Sequence, residues 1–200
     1  MTVPKDKPLA EAATNGDADL VRALLAGGVA PDAQNDEGQS AMALAASRNH
    51  HEIVKLFLEY GADPNGAGSD PSPARAACTL GAVDALQVLI AAGADPNAKH
   101  RDGQSLLTGT ILAEGTTRNS DYLVLAGCLV DAGANLDVAD SDGATALTRA
   151  VVLGRPETVR WLLARGADAK IGGAQGLSLL QIAKARKQDD IVRLLLAAER

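Results

Sequence analysis

The chain has 200 residues, a formal net charge of −6 and an apolar fraction of 46%, drawn largely from Ala, Leu and Val, with aromatic rings only at Phe57, Tyr60, Tyr122 and Trp161. An acidic, ring-poor chain is a poor match for nucleic acid, which needs clustered Lys and Arg and aromatic platforms for stacking. No apolar run reaches the 18 residues of a membrane span, and the opening MTVPKDKPLAEAATNGD lacks a signal-peptide core, so the chain reads as cytoplasmic.

Taken in order, the chain writes one unit about six times. The first runs over 7–34 and holds a helical stripe, LVRALL at 20–25, closed by GVAPD at 28–32. The second, 35–66, opens on the turn Asp36-Glu37-Gly38, continues through Ser40 into a short Ala-rich helix, carries IVKLFL at 53–58 and closes with GADPN at 61–65. The third, 67–99, places Ser72 ahead of its first helix, ALQVLI at 85–90 in its second, and GADPN again at 93–97. The fourth, 100–139, opens on Arg101-Asp102-Gly103 and Ser105 and closes with GANLD at 133–137. The fifth, 140–172, has Ser141-Asp142-Gly143, Thr145, TVRWLL at 158–163 and GADAK at 166–170; the sixth, 173–198, has Ser178 and IVRLLL at 191–196.

Each element has a physical reason. Apolar residues at i, i+3 and i+4 give each second helix one buried stripe. Each closing glycine stands where a helix ends in a left-handed residue, a conformation that glycine adopts without steric cost. Ser40, Ser72, Ser105, Thr145 and Ser178 share one slot ahead of the first helices, where a hydroxyl caps orphan N–H groups for about 1 kcal/mol each.

The closing glycines are 33, 32, 40 and 33 residues apart, so one interval is seven residues long in excess. Counting inward from both sides puts the extra residues at 114–120, the polar stretch EGTTRNS between the two helices of the fourth repeat. A stretch without periodicity reads as a loop.

This pattern resembles the ankyrin repeat, whose signature is D-x-x-G-x-T-P-L-H-x-A-A, then a V-x-x-L-L helix and G-A-D-x-N. The resemblance covers 7–198. The T-P-L-H element survives only in part, as SPAR at 72–75 or TALT at 145–148, and its histidine is absent throughout. It implies an all-α helix-turn-helix solenoid with β-hairpin-like turns, here a single domain of about six repeats including two caps. Lys184, Arg186, Lys187, Gln188 and Arg193 give the last repeat the polar face of a terminal cap.

The resemblance also implies a concave face lined by first helices and hairpin tips. The residues after each first helix's paired small positions then point into the groove: Ser47 and Arg48, Thr79 and Leu80, Leu112 and Ala113, Val152 and Leu153. Exposed, Leu80, Leu112 and Leu153 form an apolar strip of the kind that marks an interface; tucked between helices, they are core. The candidate protein-binding residues are Arg48, Leu80, Leu112 and Leu153 in the groove, Glu37, Arg101, Asp102 and Asp142 at the tips, and Arg118 with Asn119 in the long loop.

Catalytic chemistry is not expected. His50-His51-Glu52 has the composition of a metal cluster, but adjacent helical residues point about 100° apart and no third ligand stands at a workable spacing. Cys78 and Cys128 lack C-x-x-C spacing and read as buried, reduced thiols. G-x-x-x-x-G-K-[ST], G-x-S-x-G and a nucleophilic Cys–His signature are all missing, so no enzyme, cofactor, metal or small-molecule substrate is assigned. The expected partner is a protein, bound by a chain that is a monomer when free, either as an adaptor or as an inhibitor or immunity-type protein. An excess of Arg over Lys, 12 against 7, goes with a bacterial source.

Overall fold

The computed structural model describes residues 6–100, 103–113, 122–171, 173 and 177–198. Among these, twelve α-helices form six successive pairs: α1 (Asp6–Asn15) and α2 (Ala18–Ala26), α3 (Ala41–Ser47) and α4 (His51–Glu59), α5 (Pro73–Leu80) and α6 (Val83–Ala91), α7 (Leu106–Ala113) and α8 (Tyr122–Asp131), α9 (Ala146–Leu153) and α10 (Pro156–Ala164), α11 (Leu179–Ala185) and α12 (Asp189–Ala198). Two or three residues join the members of every pair except the fourth, where 114–121 intervene; the extra residues inferred from the glycine spacing, 114–120, lie outside the described residues.

The chain divides into two compact units, Met1–Asp95 with Gly115–Cys128, and Pro96–Glu114 with Leu129–Arg200. In the first, α1 packs on α3 and α3 on α5 in one layer, while α2 packs on α4 and α4 on α6 in another. Alanines make the first layer close: Ala43, Ala45, Ala46, Ala76 and Ala77 are all buried. The bulk comes from the second helices, where Val21, Ile53, Val54, Phe57, Leu86 and Leu89 have essentially no exposure. Cys78 is buried, Cys128 is half-buried, and both are free thiols. In the second unit α9 packs on α7, α10 and α11, and α12 on α10 and α11, around Leu107, Ile111, Leu147, Val159, Leu162, Ile182 and Leu195.

The recurring hydroxyl caps its helix in all five repeats where it was expected. The N–H of Ala43, Arg75, Thr108, Thr148 and Gln181 donates to the side-chain oxygen of Ser40, Ser72, Ser105, Thr145 and Ser178, at 3.1 to 3.3 Å. Short antiparallel bridges, Gln34 with Ser40 and Lys99 with Ser105, give the turns ahead of α3 and α7 their hairpin character.

The closing turn has one geometry throughout. Gly61 and Gly93 sit at φ +87° and +93°, and the next N–H, of Ala62 or Ala94, donates back to the carbonyl of Phe57 or Leu89 at 3.0 Å. This six-to-one bond satisfies a carbonyl that the helix end would otherwise leave orphaned. The turn also joins neighbouring repeats through its last residue. Within the first unit the N–H of Asp63 donates to the Asp32 carboxylate at 3.1 Å and that of Asp95 to Asn65 Oδ1 at 2.9 Å. Within the second, Asn135 donates to Asn97 at 2.8 Å and Asp168 to Asp137 at 3.0 Å. The Asn or Asp that ends GADPN is thus an inter-repeat acceptor, a role that exceeds the turn-forming one read from sequence.

Candidate protein-binding surface

In the first unit a cavity of about 220 Å³ opens between α3 and α5, lined by Leu44, Pro71, Leu80, Ala76, Ser47 and Thr79 among others. Its floor is small because Ala43 and Ala76 are buried in the layer contact. The hydroxyls on its wall are already satisfied: Ser47 Oγ donates to the Leu44 carbonyl at 2.7 Å and Thr79 Oγ1 to that of Arg75 at 2.9 Å. Local back-bonding of this kind leaves neither hydroxyl with an unmet donor. Leu80 ends α5 beside the left-handed Gly81, φ +80°, and stands 54% exposed. That is unusual for a leucine within a packed layer of helices.

The other sequence-derived candidates lie as follows. Arg48 caps the C-terminus of α3 and is exposed; Glu37 is exposed at the tip of the Gln34–Ser40 hairpin, its N–H donating to Asn35 Oδ1 at 3.0 Å. In the second unit Leu153 ends α9 at 43% exposure, and Leu112, in the last turn of α7, is half-buried. Arg101, Asp102, Arg118 and Asn119 lie outside the described residues. Asp142 is exposed but engaged: Arg149 Nη2 reaches it at 2.8 Å.

That contact belongs to a clamp that sequence reasoning missed. Arg149 donates through Nε at 3.1 Å and Nη2 at 2.6 Å to Asp140 Oδ2, and the backbone N–H groups of Asp142 and Ala144 donate to Asp140 Oδ1. Burial raises the Asp140 carboxyl's pKa, yet the Arg149 donors and these N–H groups outweigh it and hold the group below its ordinary value. The Asp carboxylates bind Arg149 and raise its pKa in turn. The signal in the sequence was an Arg nine residues after Asp140, four after the cap at Thr145.

His50 and His51 each contact another protein group. His50 Nε2 lies 3.2 Å from the Thr14 carbonyl, and His51 Nε2 lies 3.1 Å from Glu52, which also pairs with Lys55 at 2.7 Å. Lys55's hydrogen bond is the main cause of Glu52's lowered pKa. Among the described residues no group of three or more His, Cys, Asp or Glu is placed to hold a metal ion.

Against known families, the model described as ankyrin repeats (3 copies) matches residues 9–100 and 118–200. The chain belongs to the ankyrin-repeat family. Ankyrin repeats are protein-interaction modules. Solved structures agree on the all-α fold. An ankyrin repeat domain from Acinetobacter baumannii is similar at 28% identity and a TM-score of 0.83, over 96% of this chain and 97% of that one. A chain in the solved structure of the predatory endopeptidase Bd0816 from Bdellovibrio bacteriovorus in complex with immunity protein Bd3460 is similar at 26% identity and a TM-score of 0.79, over 96% of this chain and 97% of that one. The E3 ubiquitin-protein ligase KEG of Arabidopsis thaliana is 36% identical over 146 residues, 72% of this chain but 8% of that protein. This ankyrin chain spans less than a tenth of the length of the first three curated relatives it matches.

Proposed function

We propose that this chain is a non-catalytic adaptor or scaffold that seats a protein partner on its first-helix face, with contributions from the hairpin tips and the long fourth-repeat stretch. The apolar cavity between α3 and α5, with Leu80 held out at 54% exposure, carries the reading. An aliphatic side chain beside a small apolar hollow is the kind of anchor point on which binding energy concentrates. The same reading makes the chain a cytoplasmic protein of bacterial origin and a monomer when free. Among the described residues no helix is long and apolar enough to cross a membrane.

The test is affinity capture from the source cell with mass spectrometry, followed by calorimetry of the captured partner. Leu80→Glu should leave folding intact, because the residue is exposed, and weaken the partner at least tenfold, about 1.4 kcal/mol, by placing an unpaired charge in a desolvated contact. Unchanged affinity in a folded variant would remove the α3–α5 face from the site. Deleting residues 115–120 should move Tm by no more than a few degrees, since loop length enters closure entropy only logarithmically. The same deletion should also cost at least tenfold in affinity, with Arg118 as the contributing donor; unaltered binding would make the insertion a passenger.

A second reading is an inhibitor or immunity-type protein that occludes one enzyme. The similarity to a chain from an endopeptidase–immunity complex, over nearly the full length of both, favours it. Recovery of one stoichiometric enzyme whose activity is lost on adding this chain would decide for the inhibitor; several weaker partners would decide for the adaptor.

A further inference from the structure

We infer that the first unit's surface takes an extended partner segment bearing a basic side chain about three residues from an aliphatic one. This rests on the partner-binding reading above and specifies what is bound. Glu11 in α1 immediately precedes the buried pair Ala12-Ala13, as Leu44 precedes Ala45-Ala46 in α3 and Ala76 precedes Ala77-Cys78 in α5. Since α1 packs on α3 and α3 on α5, these three positions form a row, one helix apart. Packed helices lie 8–10 Å apart. The row changes chemistry along its length, acidic at α1 and apolar from α3 onward.

Two hollows follow that change. The one between α3 and α5 is the apolar cavity beside Leu44 and Leu80. The other, about 340 Å³, is lined by Ala10, Glu11, Asn35, Asp36 and Glu37, so it carries three carboxylates and, among the described residues, no Lys or Arg. Glu11, Asp36 and Glu37 are exposed, and none makes an ion pair among the described residues. The hairpin that carries Asp36 and Glu37 also supplies Gln39 to the apolar hollow, so the two adjoin across one turn.

Charge selects the occupant. The first unit holds seven Lys and Arg against fourteen Asp and Glu, a net of −7, whereas the second holds twelve against eleven. The chain's excess negative charge thus resides in the unit that holds the paired hollows, and a field of that sign draws cations. A Lys or Arg would meet the three carboxylates, Arg with bidentate geometry. A Leu, Ile, Met or Val would fill the hollow beside Leu80. An extended backbone rises about 3.3 Å per residue, so one helix spacing corresponds to roughly three residues.

The experiment is selection of a random 12-residue peptide display library against the intact chain. Enriched peptides should carry Lys or Arg two to four residues from an aliphatic residue. The best of them, made synthetically, should bind at least tenfold more weakly to Leu80→Glu and to Glu11→Lys/Glu37→Lys. They should lose less affinity to Glu11→Gln/Glu37→Gln, and should weaken as salt is raised from about 0.05 to 0.5 M. Circular dichroism checks that each variant is folded. Enrichment of acidic or purely apolar peptides, or binding indifferent to these substitutions, would overturn the inference. A library that yields no binder would also overturn it, while leaving intact a captured folded partner that is sensitive to Leu80→Glu.

Discussion

Leu162→Ala should lower the stability of the chain by roughly 2 to 5 kcal/mol, read as a shift of the urea midpoint. Leu162 has no solvent exposure, and the equivalent stripe positions of α4, α6 and α12, Phe57, Leu89 and Leu195, are as deeply buried. Truncation to Ala removes three carbons at about 0.8 kcal/mol each before any cavity term is added. The hole would open at the contact of α10 with α9 and α12, where a helix of fixed pitch cannot collapse freely. Leu162 also supplies the carbonyl that receives the Ala167 N–H at 3.1 Å, so its helix end and its packing share one residue. A repeat of about 33 residues cannot bury its own apolar face, and the loss is therefore shared with neighbouring repeats. A change below about 0.5 kcal/mol would mean that the V-x-x-L-L stripe does not face the core.

The capping hydroxyls, the glycine turns and the second-helix stripe were legible because each repeats in register, so five copies vote on one local structure. Nothing local explained why GADPN ends in Asn. Its partner, the N–H of Asp95 for Asn65, lies in the next repeat, and only the stacked fold brings the two together. Spacing gave direction but not depth along the groove: Leu80 and Leu153, eight residues after their capping hydroxyls, stand exposed, while Leu112, seven after Ser105, is half-buried like Val152 at the matching position of α9. The acidic hollow was equally hidden, because Glu11 and Glu37 are far apart in sequence. Asp142 reads from sequence as a hairpin-tip contact for a partner, yet an Arg seven positions on binds it within the fold.

That Arg supplies the other large effect. Arg149→Met should cost about 2 to 3 kcal/mol, because it strips the cation from a carboxylate whose side chain is 1% exposed. The two backbone N–H donors to Asp140 remain and keep the cost from rising further. Asp142→Asn should change stability by less than about 0.5 kcal/mol, since that carboxylate is 74% exposed and its pairing is screened by water. The pH dependence separates charge from packing. Asp140's pKa is depressed in the folded state, so its contribution is present in full above the unfolded value of about 3.9 and is lost as pH falls through the folded one. In the variant, burial acts on Asp140 without the Arg149 donors to oppose it, so the carboxyl takes up its proton earlier and the penalty is relieved. Both effects close the gap between wild type and variant as the pH drops from 7 toward 3. Raising the salt concentration at pH 7 should leave the gap nearly unchanged, because a pair this enclosed is poorly screened. A gap that persists undiminished at pH 3 would assign the loss to the burial of the Arg149 methylenes, and the ion pair would then contribute nothing to the fold.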